Sequence, residues 1–275
     1  MDSQIKAVID LGTNTFNLLI GKIVDGKLTI LHAEKEGVAL GMGGINEGYL
    51  ADDAMDRALV TLKRYLKVCQ SYDCSNVRMI GTSAIRDAKN QQDFLRRVEQ
   101  ETGVLIDVID GKQEANLIYN GVKWSYDFDE PALIMDIGGG STEFILADKA
   151  GVQWADSFNI GVSRVFQKFT FSDPLSESDV EKIRTYFNDG VSEEFKKIRC
   201  ELLIGSSGTF ETLYEMAYEK PFESKIDRVE INLDEIKRIA NQLIASTQAD
   251  RDKHDWIVPI RKKMAPIAAV KILWI

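Results

Sequence analysis

IMDIGGGSTEF, residues 134–144, joins an apolar run to an aspartate, three consecutive glycines, two hydroxyl side chains and a glutamate. An apolar run that ends in Asp and continues through Gly and Ser is typical of a strand followed by a tight turn. Glycines let the backbone N–H groups of such a turn point into one concavity, and a concavity of this kind binds phosphate. A single run of glycines also fits a plain flexible turn, so the rest of the chain must decide.

The segment is one copy of an internal repeat. AVIDLGTNTFNLLIGKIVDGKLTILHAEKEGVAL (residues 7–40) aligns with ALIMDIGGGSTEFILADKAGVQWADSFNIGVSRV (residues 132–165). Both contain a strand, an Asp-apolar-Gly turn, two further strands and a Gly-Val pair, at Gly37 and Gly161. Farther along the chain, VRMIGTSAIRDA (residues 77–88) matches CELLIGSSGTFETL (residues 200–213).

The repeat predicts an α/β fold of two duplicated domains that face each other across a cleft. We predict domains 1–125 and 126–275, because the turn-forming segment KWSYDFDEP (residues 123–131) separates the copies. Helical stripes begin near Asp52, Ser176 and Asp234, and another stripe stops at Gly103. The final segment, residues 257–275, ends inside an apolar stretch, so either the last helix docks firmly or the chain has been shortened.

Charge, cysteine content and the lack of long apolar runs argue against several kinds of partner and compartment. The chain has 275 residues and a net charge of -9, which argues against unaided binding to nucleic acid. Its three cysteines form no Cys-x-x-Cys pair, which favours a reducing compartment, with the cytoplasm as the default. We expect no membrane partner, because there is neither a signal peptide nor a long apolar run.

The chain does not match the common sequence motifs of nucleotide-binding proteins, metal-dependent hydrolases and serine hydrolases. The sixth position of a dinucleotide fingerprint starting at Gly138 is Glu143, and the chain has no Gly-Lys-Ser/Thr. With only His32 and His254, a histidine-rich metal site or a serine triad is not expected. We interpret His254-Asp255 as a surface turn.

Three turns offer N–H and hydroxyl groups to anions, and three such turns predict a phosphate chain as ligand. The predicted substrate-binding residues of these turns are Gly12, Thr13, Asn14 and Thr15; Gly138, Gly139, Gly140, Ser141 and Thr142; and Gly205, Ser206, Ser207, Gly208 and Thr209. Asp10 and Asp136 end the first strand of each copy, where carboxylates can hold a hydrated Mg²⁺. Arg164 and Lys168 could extend the path of a phosphate chain, but we favour their interpretation as solvated helix charges.

Six ordered motifs closely resemble the Ppx/GppA family of exopolyphosphatases and guanosine pentaphosphate phosphohydrolases: VIDLGTNTFNLLI, GTSAIRDA, IDGKQEANLIYNGV, IMDIGGGSTEFIL, NIGVSRVFQKF and LIGSSGTFETL. The resemblance runs from Lys6 to about residue 270. It implies two actin-like (ribonuclease H-like) domains. It further implies that Glu114 is the catalytic base, Glu143 the second functional carboxylate and Arg86 a substrate-phosphate ligand, and that Asp10 and Asp136 are associated with metal. Where the family often has two adjacent glutamates, this chain has Gln113-Glu114.

The residues around Glu114 support two interpretations. Glu114 begins a helical stripe after an apolar strand, at the strand end where α/β sites collect. It also fits a glutamate that simply favours a helix N-terminus. The resemblance favours catalysis.

The resemblance implies hydrolysis of terminal phosphate from polyphosphate or a phosphorylated guanosine nucleotide, with Mg²⁺ as cofactor. The alternatives are a non-catalytic sensor of polyphosphate or guanosine tetraphosphate and, more weakly, an ATP-using kinase. We leave open whether two copies form a homodimer.

Overall fold

The computed structural model describes residues 4–223, 228–255 and 257–275, which form two compact units, residues 1–110 and 111–275. The first unit contains, in chain order, β1 (Lys6–Leu11), β2 (Phe16–Val24), β3 (Lys27–Glu36), α1 (Asp52–Ser71), β4 (Asn76–Gly81), α2 (Ser83–Arg86), α3 (Gln91–Thr102) and β5 (Ile106–Val108).

The sheet of the first unit has the strand order β3-β2-β1-β4-β5. β1 pairs antiparallel with β2 and parallel with β4. Alternate residues of β1, namely Ala7, Ile9 and Leu11, are buried in the core. The predicted helical stripe of α1 contributes Leu59 and Leu62 to the same core.

The second unit contains α4 (Gly111–Val122), β6 (Ala132–Ile137), β7 (Thr142–Asp148), β8 (Gly151–Phe158), α5 (Val162–Lys168), α6 (Glu177–Asp189), β9 (Leu202–Ser206), α7 (Gly208–Tyr218), α8 (Leu233–Ala245), α9 (Gln248–Asp252) and α10 (Pro259–Trp274). Its sheet order is β8-β7-β6-β9, which repeats the order β3-β2-β1-β4. The predicted duplication is therefore confirmed, and β5 has no counterpart within the described residues.

The border between the units lies earlier than residues 125 and 126. The structure assigns α4 to the second unit, because this helix packs on β7 and β8. At the start of α4, a Cβ added to Gly111 would lie 2.6 Å from the Cβ of Ser157 in β8. The turn-rich segment after α4 suggested the later border, but a turn shows only where an element ends and not which sheet that element packs on.

Local signals place several helix ends correctly. Gly103 has φ of 73° and ends α3, as predicted. Ser176 caps α6 and forms a capping box with Asp179. The last helix, α10, is buried along most of its length. Within residues 4–223, 228–255 and 257–275, none of the helices has the length and apolar character that a bilayer crossing requires.

Candidate active site

The glycine turn between β6 and β7 is held by the start of α5. The carbonyl oxygens of residues 138–140 accept hydrogen bonds of 2.9–3.2 Å from the N–H groups of residues 161–163. The Nε of Arg164 donates a further bond of 2.7 Å to the Gly140 carbonyl. Every carbonyl of the three glycines therefore points toward α5.

The same bonds orient the amides of this turn. In a planar trans peptide, the N–H points opposite to the C=O of the preceding residue. Because the carbonyls of residues 138–140 face α5, the N–H groups of Gly139, Gly140 and Ser141 face away from it. Three successive amides directed to one side form an anion-binding concavity. We call these three N–H groups the amide nest.

The first unit repeats this construction. The Asn14 carbonyl accepts from the Ala39 N–H (2.8 Å), and the Thr13 carbonyl accepts from the Gly41 N–H (2.9 Å). Gly12 donates to the Thr15 carbonyl and closes the turn. Ala39 therefore occupies in the first unit the place that Gly161 occupies in the second. The sequence alignment had instead matched Gly37 with Gly161. The alignment slips because β2 and β3 have 9 and 10 residues, whereas β7 and β8 have 7 and 8.

The two copies differ in the residue opposite the strand-end aspartate. In the first unit, Asp10 faces Asn17, whose amide donates to the Asp10 carboxylate at 3.0 Å. In the second unit, Asp136 faces Glu143 across β6 and β7. Directly opposed residues of an antiparallel pair have Cβ atoms about 4.5–5.5 Å apart. The second unit thus opposes two carboxylates where the first has a carboxylate and a neutral amide.

Glu143 is a buried acid of this site, and its pKa is raised. It is only 2% exposed, and the Ser157 hydroxyl donates to its Oε1 at 2.6 Å. Burial and, after it, the neighbouring carboxylates of Glu114 and Asp136 together raise the pKa of Glu143 to about 8, against the opposing effect of hydrogen bonds from Ser141 and Ser157. A carboxyl with such a pKa is largely protonated at neutral pH.

The N-terminus of α4 brings Glu114 into the same site. Glu114 lies in the first turn of α4, and that turn packs against Ser157, the residue that holds Glu143. The charge of Glu114 is the second-largest influence on the pKa of Glu143. The second unit therefore gathers both predicted catalytic carboxylates beside the amide nest.

The raised pKa of Glu143 gives a testable dependence of stability on pH. The folded chain keeps a proton on Glu143 that the unfolded chain releases above its usual pKa of 4.5. The free energy of unfolding from this group therefore falls as pH rises from about 4.5 to about 8, by on the order of a few kcal/mol. We expect Glu143→Gln, which is neutral at every pH, to remove this decline.

The measurement compares the thermal midpoints of wild type and Glu143→Gln without added metal, at pH values from about 5 to about 9. Shared groups that do not interact with Glu143 cancel in the difference between the two midpoints. That difference should move in favour of the variant as pH rises. A constant difference would contradict the raised pKa.

In the first unit, the predicted substrate residues lie at the carboxyl ends of β1 and β4. The Thr82 N–H and hydroxyl both reach the Leu11 carbonyl at 3.4 Å, which places the loop after β4 beside the turn at residues 12–15. Arg86, at the end of α2, donates to the Ile109 carbonyl at 3.2 Å and lies 3.6 Å from Asp87. Its contact with phosphate stays a prediction.

The third predicted turn, residues 205–209, adjoins the glycine turn. Ser206 pairs with Asp136, and the Thr209 hydroxyl donates to the Ile137 carbonyl at 3.3 Å. The two glycines have packing reasons of their own. A Cβ at Gly205 would lie 2.0 Å from the Phe210 ring, and one at Gly208 would lie 2.2 Å from the Arg261 guanidinium. For these residues, contact with substrate also stays a prediction.

The model of the Ppx/GppA phosphatase family matches residues 19–272. The chain belongs to this family. The chain is similar to an exopolyphosphatase from Cytophaga hutchinsonii of known crystal structure, with a TM-score of 0.93 and 36% sequence identity. The match covers 98% of this chain and 89% of the exopolyphosphatase. The likeness confirms the predicted α/β fold.

Two curated relatives are longer than this Ppx/GppA chain. A bifunctional 3-dehydroquinate synthase/phosphatase of Fusobacterium nucleatum is 35% identical over 76% of this chain and 33% of the relative. A guanosine-5'-triphosphate,3'-diphosphate pyrophosphatase of Aeromonas hydrophila is 28% identical over 91% of this chain and 50% of the relative. The chain thus spans a third to a half of these relatives.

Three residues that support the glycine turn or Glu143 were not predicted from the sequence. Arg164 was interpreted as solvated, and that interpretation is wrong, since its side chain is buried and holds the Gly140 carbonyl. Ser157 could have been found from the pairing of β7 with β8, which sets it opposite Glu143. Lys271, on α10, donates to the Thr142 hydroxyl at 2.6 Å, and no local pattern connects it with the turn.

The carboxylates of the site fit Mg²⁺, the cofactor that the resemblance implies. Mg²⁺ binds through one or two carboxylates, and waters and substrate phosphates complete its shell. Asp136 offers such a carboxylate close to the amide nest. In the parts of the chain that the structure describes, no three His, Cys, Asp or Glu side chains form a metal-site arrangement. Asp10 and Asp136 stay the predicted metal ligands.

Proposed function

We propose that the protein hydrolyses the terminal phosphoanhydride bond of inorganic polyphosphate or guanosine pentaphosphate. The observation that carries this proposal is the combination of the amide nest with Glu114 and Glu143 in one unit. An anion-binding turn beside a pair of carboxylates can both hold a phosphate and activate water.

The amide nest holds the terminal phosphate and orients its phosphorus toward Glu114. Glu114 accepts a proton from a water molecule as the water attacks in line with the leaving phosphate. Glu143, mostly protonated at neutral pH, leaves Glu114 as the base, because two carboxylates this close do not readily ionise together. The hydroxyl of Ser157 fixes the Glu143 carboxyl during this step.

Charge balance explains the need for a metal. The carboxylates of Glu114 and Asp136 lie near Glu143 in the site where we propose that a polyanion binds, and their charges repel phosphate. Asp136 and Asp10 are the residues that we propose would hold Mg²⁺, and the ion would neutralise charge on the phosphate oxygens. Arg86 adds a guanidinium, whose planar fork suits phosphate.

The remaining parts of the proposal rest on composition. We infer a cytoplasmic protein with no nucleic-acid or membrane partner, from its net charge and its three free thiols. Whether two copies form a homodimer is left to a measurement of molar mass in solution.

The deciding experiment measures phosphate release by the wild-type chain from long-chain polyphosphate and from guanosine pentaphosphate, with and without Mg²⁺. We expect steady release that depends on Mg²⁺. Binding without release would instead support the sensor, and transfer of labelled phosphate from ATP to an acceptor would support the kinase. The ratio of kcat/KM between the two substrates assigns the preference.

A further inference from the structure

Lys271 is a fully buried lysine in the second unit, with 0% exposure. Burial disfavours a charged amine strongly, and it lowers the pKa of Lys271 well below its usual range, while the charge of Glu143 opposes that shift. Lysines are almost never fully buried unless they are paired, and a well-packed apolar side chain would cost less. The position of this amine therefore needs an explanation other than stability.

Both hydrogen bonds of the Lys271 amine go to segments that form or support the glycine turn. Its Nζ donates to the Thr142 hydroxyl at 2.6 Å and to the Ile160 carbonyl, and it lies 4.4 Å from the centre of the Phe187 ring. Two oxygen acceptors and an aromatic face satisfy the amine on several sides.

The two oxygen acceptors mark the two chain segments that must stay together. Thr142 is the first residue after the turn, and Ile160 immediately precedes Gly161, whose N–H donates to Gly140. Lys271 thus joins the end of the glycine turn to the segment that orients its carbonyls. The amide nest depends on those carbonyls facing α5. By holding the two segments together, the Lys271 amine therefore fixes the direction in which the nest points.

We propose that Lys271 is a positioning residue that holds the amide nest in its phosphate-binding orientation by bridging Thr142 and Ile160. The proposal rests on the proposed function of this site as a phosphate-binding site. A purely structural lysine would affect folding alone, whereas a positioning lysine affects the binding of phosphate by a folded protein.

The test compares Lys271→Met, which keeps the length of the side chain and removes the amine, with wild type. We expect the KM for polyphosphate and the Kd for tripolyphosphate, measured by calorimetry, to rise at least tenfold, with kcat changed less than threefold. Lys262→Met is the matched control. Lys262 is also buried on α10, but its amine donates to the Asp252 carbonyl, outside the turn.

Thr142→Val provides a second route if Lys271→Met folds poorly. It removes the hydroxyl that accepts the Lys271 bond and keeps the shape of the side chain, and that hydroxyl belongs to a predicted substrate residue whose side chain is fully buried. We expect the same rise in the Kd for tripolyphosphate. The Thr142→Val, Lys271→Met double variant should bind tripolyphosphate no more weakly than Lys271→Met alone. An active wild type with an unchanged Kd in both variants overturns this inference alone. A wild type that neither binds nor hydrolyses polyphosphate overturns the proposed function and this inference with it.

Discussion

Glu114→Gln should lower kcat for phosphate release from polyphosphate by about 10²–10⁴, because glutamine cannot accept the proton of the attacking water. The substitution keeps the size of the side chain and its place in the first turn of α4, so the fold should be retained. KM should change little, since the amide nest that holds the phosphate is untouched. Steady-state phosphate release at saturating Mg²⁺ measures the effect.

The matched control for Glu114→Gln is Glu181→Gln, the same chemical change at an exposed position of α6. We expect wild-type kcat from this control. A Glu114→Gln variant with undiminished kcat would contradict the assignment of the base. Since Glu143 lies beside Glu114, a residual rate that disappears in the Glu114→Gln, Glu143→Gln double variant would show that Glu143 can partly replace the base.

Gly161→Ala should have the second large effect, because it displaces the glycine turn. A Cβ at this position would lie 2.2 Å from the Gly139 carbonyl oxygen and 2.4 Å from the carbonyl carbons of Gly139 and Gly140. These are backbone atoms, so the turn itself must move. Overpacking of this kind costs about 1–3 kcal/mol of stability. A displacement of about 1 Å at a site can cost about 10²-fold in rate, which we expect for kcat/KM.

Gly121→Ala is the control for this steric effect. Gly121 lies in α4, and an added Cβ there meets nothing within 4 Å. Alanine in a helix is favoured over glycine by about 0.5–1 kcal/mol, so this variant should keep its activity and gain stability. Thermal unfolding and kcat/KM of both variants test the pair of expectations. Wild-type kcat/KM in Gly161→Ala would show that the amide nest is not held by the start of α5.

Much of the site could be read from the chain. The two Asp-apolar-Gly turns, the helix ends at Ser176 and Gly103, and the placement of Glu114 at a helix start follow from local patterns, because strand ends, caps and turns depend on neighbouring residues. The slip of Gly37 against Ala39 shows the limit. β2 and β3 are each two residues longer than β7 and β8, so the alignment of the two copies places the counterpart of Gly161 too early in the chain.

The sequence by itself determined the duplicated α/β fold, the two Asp-apolar-Gly turns and the glutamate that follows the second of them. Only the tertiary structure decided that α4 belongs with the second unit, that Arg164 is buried and that Lys271 donates a hydrogen bond to Thr142 at the end of the glycine turn. Lys271 and Thr142 are 129 residues apart in the chain. A contact of that separation depends on how α10 packs among the other helices of the second unit, chiefly α8, α6 and α5, and no residue near Lys271 in the chain indicates it.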